Sequence, residues 1–207
     1  MNLEYRQFHI KEMLLWSLDK KVEHALKRIK EFYEFKEGKV YVGFSCGKDS
    51  VVLLHLVRSL FPNVVAVFSD TTNEYTEILK FSKTVENLII VKPKMTFNQV
   101  VKEYGFPLVS KKVSMMIARL KENSPHTKKT RDLYLTGITS KGTPAPSYKL
   151  PLKWYPLIDA KFDLTNKCCD ILKKEPLKRY AKESGNSPII GTLIEESQFR
   201  KNSWLGY

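Results

Sequence analysis

Six consecutive residues, Ser45-Cys46-Gly47-Lys48-Asp49-Ser50, combine the groups that hold an anion against a polypeptide backbone. Gly47 lets the main chain approach a phosphate or sulfate closely, Ser45 and Ser50 bring hydroxyl donors, and Lys48 brings a point charge. They stand between a β-prone run, Lys39–Phe44, and an apolar helical pattern through Val51, Leu54, Val57 and Leu60. Open α/β sheets bind ligands where strands end and helices begin, because a helix N-terminus offers unpaired N–H groups and the positive end of its dipole. The segment is not the nucleoside-triphosphate loop G-x-x-x-x-G-K-[ST]. Its first glycine position holds Val42, and Asp49 follows the lysine where Ser or Thr should bind Mg²⁺.

Three cysteines are present: Cys46 inside the hexamer and an adjacent pair, Cys168-Cys169. That number and spacing cannot build a disulfide framework, so free thiols and a cytoplasmic location are expected. The vicinal pair is a candidate redox or metal site, and such pairs are also frequent as half-buried filler. Lys plus Arg number 35 against 22 Asp plus Glu, a net charge of +13. The excess favours an anionic partner, whether nucleotide, nucleic acid or acidic surface. Basic residues cluster at Lys20, Lys21, Lys27, Arg28 and Lys30, at Lys111, Lys112, Arg119, Lys121, Lys128, Lys129 and Arg131, and at Lys173, Lys174, Lys178 and Arg179. They read as solvated helix faces or as a nucleic-acid footprint. No apolar run approaches the ~20 residues of a membrane span, and Met1–Arg6 lacks the order of a signal peptide.

The elements that must position these residues follow from periodicity. Val22, Leu26, Ile29 and Tyr33 form one helical stripe over residues 20–35, ended by Gly38. Strands are predicted at Lys39–Phe44, Val64–Phe68 and Leu88–Val91, with helices after Ser50 and over Glu74–Glu86. Further helices are predicted at Phe97–Tyr104, Lys111–Glu122, Leu172–Glu183 and Glu195–Leu205, and a last strand at Pro188–Thr192. Residues 123–160 carry five prolines and read as an irregular covering segment. The pattern predicts an α/β fold, a doubly wound, mostly parallel sheet with helices on both faces. Length and composition suit a single domain over residues 1–207, with residues 1–36 as an N-terminal helical extension.

S-x-G-K-D-S resembles the pyrophosphate-binding PP-loop of the adenine nucleotide alpha-hydrolase-like superfamily, which includes the N-type ATP pyrophosphatases. Further matches narrow the resemblance to the phosphoadenosine phosphosulfate (PAPS) reductase family, especially its short phage-like members. Val67–Thr71 resembles a strand ending in D-T followed by an acidic residue, here Glu74. Pro107–Lys112 resembles P-x-V-S-K, and Lys167–Pro176 resembles C-C-x-x-x-K-K-x-P. Ile190–Trp204 resembles G-T-x-x-E-E-S-x-x-R-x-x-x-W. The resemblance implies that Ser45, Cys46, Gly47, Lys48, Asp49 and Ser50 cradle the phosphate or sulfate of an adenine nucleotide, ATP or PAPS. It places Asp70 and Thr71 near the adenosine, and Gly191, Glu196, Ser197 and Arg200 on the opposite wall. Lys48, Asp49 and Arg200 are the candidate catalytic residues.

The chain also departs from that pattern. PAPS reductases act through a nucleophilic cysteine in an E-C-G-[LI]-H-type tail, and the 207 residues contain no such motif. The iron–sulfur branch pairs C-C with a distant C-x-x-C, and only Cys168-Cys169 is present, so no cluster is expected. The expected activity is therefore binding of the nucleotide and chemistry at its phosphoanhydride or sulfoanhydride. In an ATP pyrophosphatase-type reaction Mg²⁺ would bridge the phosphates, with Asp49 or Asp70 as its carboxylate. Two alternatives remain beside it: sulfur modification of a nucleic acid, or a nucleotide-binding interaction protein without catalysis.

Overall fold

The computed structural model describes residues 3–122 and 124–192. In chain order its helices and strands are α1 (Leu3–Leu14), α2 (Leu18–Phe35), β1 (Val40–Phe44), α3 (Lys48–Leu60), β2 (Ala66–Ser69), α4 (Thr76–Ser82), β3 (Leu88–Val91), α5 (Phe97–Tyr104), α6 (Lys111–Lys121), α7 (Lys128–Thr136), α8 (Glu175–Ser184) and β4 (Ser187–Ile189). The helix predicted at Glu195–Leu205 lies outside the described residues. Contacts group the chain into two compact units, a subdivision of what the sequence reads as one 1–207 domain. Of the described residues, the first holds 3–70, 74–91 and 177–192; the second holds 71–73, 92–122 and 124–176.

In the first unit four strands pair in the order β3-β2-β1-β4, and every pairing is parallel. The architecture is the α/β class that the sequence predicts. β1 is interior, and Val40, Tyr41, Val42 and Phe44 are all buried, as a parallel strand covered on both faces requires. Its neighbour β2 buries Ala66, Val67 and Phe68. α3 packs on β1 and α2 packs on α3, closing a core of Ile29, Leu54, Val57 and Val64 against the sheet. Each fully buried aliphatic side chain contributes roughly 1.5–3 kcal/mol. The Tyr33 and Phe61 rings stack at 3.6 Å. Arg58 fastens the end of α3, donating to the Val64 carbonyl at 3.2 Å and to the Glu86 carbonyl at 2.8 Å.

The sheet edges differ in chemistry. β4 carries Pro188, which is tolerated there because an edge residue needs no outer N–H. β3 forms the other edge, with Ile89 39% and Ile90 44% exposed.

The second unit is helical. A capping box of Thr96 and Gln99 starts α5, and the Ser110 hydroxyl accepts from the Val113 N–H to start α6. Met116, Ile117, Tyr134, Leu150 and Leu164 form its core. The segment 123–160, expected to be irregular, contains α7 and short 3-10 turns at Pro125–Thr127, Pro146–Tyr148 and Leu152–Leu157. Gly137 ends α7 in the left-handed conformation at φ 75°, its N–H bonded to the Leu133 carbonyl. Before α8, residues Asp170–Lys174 wind as a π-helical turn directly after the cysteine pair.

Candidate functional site

β1 ends at Phe44, and after three intervening residues the chain has become α3. The strand order explains why this junction is open. The chain leaves β1 towards β2 and β3, then returns to place β4 on the other side of β1, so crossovers diverge above the β1–β4 gap. Ligands of doubly wound sheets bind at such a switch point, beyond the carboxyl ends of the strands. The β1–β4 register, Val42 opposite Ile189, puts Gly191 beside that junction. A Cβ added to Gly191 would lie 3.4 Å from the Asp49 carbonyl oxygen and 3.5 Å from Leu53 Cδ2, so glycine lets the chain after β4 run against the first turn of α3.

The turn itself is tight and internally bonded. Cys46 adopts a left-handed φ of 60°, uncommon for a side chain with a Cβ. Gly47 is the N-cap of α3, and no side chain caps the helix. Its first-turn N–H groups and dipole are thus oriented for an anion. Lys48 is the first helical residue and is exposed; Asp49 is half-buried and Ser50 buried. The Ser50 hydroxyl lies 2.8 Å from the Gly47 carbonyl, 3.2 Å from the Ser45 N–H nitrogen and 3.2 Å from the Ser45 hydroxyl. The Gly47 N–H in turn donates to the Ser45 hydroxyl at 3.4 Å.

The environment of the thiol within this loop disfavours the thiolate. Burial, and secondly the Glu74 carboxylate, push Cys46 up to about 11. A neutral sulfur does not repel an incoming anion, and it is a poor nucleophile at neutral pH. Asp70 stands at the end of β2 in the same unit, its N–H donating to the Val91 carbonyl at 3.0 Å. The first unit therefore brings Ser45–Ser50, Asp70 and Gly191 to the carboxyl end of one sheet. Thr71 is buried and belongs to the second unit. Glu196, Ser197 and Arg200 lie outside the described residues.

Cys168 and Cys169, in the second unit, are half-buried and unbridged. Burial, and then the neighbouring Cys169, raise the Cys168 thiol against the lowering effect of Lys173. A nucleophilic role for the pair would need a lowered thiol, and the environment of Cys168 acts in the opposite direction. Two neighbouring lysines are engaged elsewhere. Lys174 pairs with Asp170 at 2.7 Å, and Lys167 sits 4.2 Å from the Tyr104 ring centroid. Asp170 also receives Lys111 at 3.0 Å, a bridge that the residue spacing does not foretell because it spans 59 positions.

Several members of the largest basic cluster also make polar contacts within their unit. Besides Lys111, Lys112 donates to the Ser147 carbonyl, Arg119 pairs with Glu122, and Lys121 donates to the Ala160 and Phe162 carbonyls. Among the described residues no group of three or more His, Cys, Asp or Glu side chains is placed to hold a metal ion. Asp49 and Asp70 thus make no protein-built metal centre; Mg²⁺ travelling on nucleotide phosphates needs only one or two carboxylates. No helix among the described residues is long and apolar enough to cross a membrane.

Comparison with known proteins finds similarity to one family over part of the chain. Residues 39–138 match the model of the phosphoadenosine phosphosulfate reductase domain, a span covering β1, the anion loop and the chain through α7. An uncharacterized protein of Methanocaldococcus jannaschii is 39% identical over 95 residues, covering 44% of this chain and 20% of its own length. An adenosine 5'-phosphosulfate reductase of Bacillus cereus is 28% identical over 96 residues, covering 44% of this chain and 41% of its own length. The chain therefore spans less than half of either relative. The crystal structure of a phosphoadenylyl-sulfate reductase from Candida auris, a phosphate complex, aligns over 86% of this chain and 70% of that one, with 15% identity and a TM-score of 0.41.

Proposed function

On the premise that residues 39–138 form a phosphoadenosine phosphosulfate reductase-family domain, we propose that this chain binds an adenine nucleotide, PAPS or ATP, through Ser45–Ser50. The observation that carries the reading is the uncapped N-terminus of α3 at the switch point of the sheet. An anion there meets several helix N–H groups, the Gly47 approach and the Lys48 ammonium, a combination equivalent to roughly one and a half positive charges. The same groups stabilise the pyrophosphate or sulfate that develops negative charge as an anhydride bond breaks, so the loop favours the leaving group as well as the ground state. Asp70 and Gly191 bound the nucleotide on either side of β1. By their motif, Glu196, Ser197 and Arg200 are further candidate nucleotide contacts, with Arg200 the candidate for the anionic groups.

The chemistry proposed is cleavage at the phosphoanhydride or sulfoanhydride. A thiol-driven reduction needs a thiolate, and burial acts against that form at both Cys46 and Cys168. When Mg²⁺ is bound it would add charge neutralisation at the phosphates, with Asp49 or Asp70 as the nearby carboxylate. Within the Lys111–Arg131 cluster, Lys111, Lys112, Arg119 and Lys121 are tethered by hydrogen bonds or ion pairs inside the unit that carries them, which favours solvated helix faces over the nucleic-acid alternative.

Thermal-shift titration with PAPS, adenylylsulfate, adenosine 3',5'-bisphosphate and ATP with Mg²⁺ tests the reading. A ligand at 100 times its Kd stabilises by about 2.7 kcal/mol through mass action. PAPS or ATP should give the largest shift, lost in Lys48→Ala. Equal, negligible shifts with all four, alongside saturable tRNA binding at physiological salt, would replace it with the nucleic-acid reading.

A further inference from the structure

We infer that the two serines bracketing the hexamer have different jobs: Ser50 is a positioning residue that fixes the loop, and Ser45 is the hydroxyl that turns to the ligand. This rests on the reading of Ser45–Ser50 as the anion loop.

The argument is a count of protons and lone pairs. A serine hydroxyl has one proton to give and two lone pairs to receive with. The Ser50 hydroxyl is oriented to donate to the Gly47 carbonyl at 2.8 Å, its shortest contact. The 3.2 Å approach between the two serine oxygens then takes its proton from Ser45. Ser50 also accepts from the Ser45 N–H at 3.2 Å. Its single donor and both acceptor sites are thereby used inside the loop, in a side chain only 6% exposed.

Ser45 differs in each respect. It is exposed, and its oxygen accepts from the Gly47 N–H while its proton points to Ser50. Turning that proton to a phosphate or sulfate oxygen leaves Ser50 still holding the Gly47 carbonyl and the Ser45 N–H. Ser50 cannot donate to an anion without releasing the Gly47 carbonyl. That carbonyl also accepts from the Val51 N–H at 3.0 Å, the first intrahelical bond of α3.

The geometry between these clamps explains what Ser50 achieves. Its oxygen is tied to residue 45 on one side and residue 47 on the other, and Cys46 between them is held at its left-handed φ of 60°. A non-glycine residue persists in that region when its surroundings over-determine it. The orientation of the Gly47 and Lys48 N–H groups depends on this turn. Ser50 therefore acts on the ligand through the backbone it fixes.

Two measurements on the full chain test the assignment. In the absence of ligand, amide NMR of Ser50→Ala should move the Cys46 and Gly47 resonances away from their parent positions, and Ser50→Thr, which keeps the hydroxyl, should return them towards those positions. With inorganic pyrophosphate as probe, Ser50→Ala should bind about tenfold more weakly, as expected for loss of a hydrogen bond that orients charged contacts, and Ser50→Thr should recover most of that loss. Parent-like loop resonances in ligand-free Ser50→Ala would overturn the inference, whatever the affinity does. Should Ser50→Ala not fold, the Ser45 amide of the parent carries the test. Its N–H should be protected from hydrogen exchange, and exchange at the free-peptide rate would overturn the assignment. A parent chain that binds neither pyrophosphate nor nucleotide would remove the proposed function while leaving the ligand-free comparison as a test of Ser50.

Discussion

The thiol of Cys46 gives a quantitative probe of the anion loop. Its folded value is pushed up to about 11 from an ordinary 9.0, first by burial and then by Glu74. At pH 8 a thiol of ordinary pKa is about one-tenth ionised and one near 11 about one-thousandth, so the reactive thiolate falls ~100-fold. The more basic thiolate is also the better nucleophile, and a Brønsted slope of ~0.4–0.5 over two units returns a factor of about 6–10. Alkylation of Cys46 by iodoacetamide at pH 8 should thus run roughly 10–15-fold slower in the folded chain than in urea. Peptide mass spectrometry of quenched samples follows the site directly, and the pH–rate profile should inflect near 11 rather than near 9. Glu74→Gln removes the second cause and should accelerate labelling, whereas pyrophosphate in the loop adds negative charge and should slow it. Because the folded value is raised, the associated stability is fully present below about pH 9 and is lost as the pH climbs towards 11. Labelling of folded Cys46 at the urea rate, with an inflection near 9, would refute the account of the loop as a half-buried turn facing Glu74.

Other outcomes follow from the same geometry. Lys48→Ala should weaken nucleotide binding by about 1.5–3 kcal/mol, the scale of a charged hydrogen bond, with little change in melting temperature, as titration calorimetry and thermal melts would show. Gly191→Val should impair binding more than Gly191→Ala, because branching beyond a Cβ already 3.4 Å from the Asp49 carbonyl must displace the first turn of α3. Asp170 is held below the usual carboxylate range by hydrogen bonds from Lys174 and Lys111, so its contribution is present above about pH 3.8 and lost as the pH falls through its folded value. Asp170→Asn should flatten that acid limb in pH-dependent melts. The 207-residue chain should release no sulfite from PAPS with reduced thioredoxin; release abolished by Cys168→Ser and Cys169→Ser together would reassign the pair as its nucleophile.

What was legible in the sequence was set by local rules. β1 stands out as a short apolar run with a clear stop, and α5, Phe97–Tyr104, coincides with the span expected from its stripe of Phe97, Val100, Val101 and Tyr104. The anion loop was legible because glycine, lysine and hydroxyl residues have few reasons to be contiguous at a strand–helix junction. α4 is shorter than the predicted 74–86 because Ser82 and Thr84 turn their hydroxyls back to the Leu79 and Phe81 carbonyls and Asn87 adopts a left-handed φ of 47°. α7 was hidden by its polarity: KKTRDLYLT buries only Tyr134, and its signature is the Pro125 before it and the Gly137 after it. The Lys111–Asp170–Lys174 bridge and the division into two units depend on contacts across many residues, which no local pattern encodes.

Among the described residues β3 pairs on one side only, and this gives the chain's surplus of charge a second meaning. Ile89 and Ile90 are consecutive, so they stand on opposite faces of an edge whose outer backbone groups offer a template to any other strand. Lys83, Lys92 and Lys94 bracket that run in sequence, the placement of gatekeeper charges beside an unavoidable apolar strand. Two copies approaching edge to edge bring these lysines together, and a net charge of +13 on each adds a longer-ranged repulsion. Such repulsion reaches only about 8 Å at physiological ionic strength and about 3 Å in molar salt. Edge-to-edge association is thereby opposed by charge, and salt, which loosens most contacts between basic proteins and polyanions, weakens that opposition.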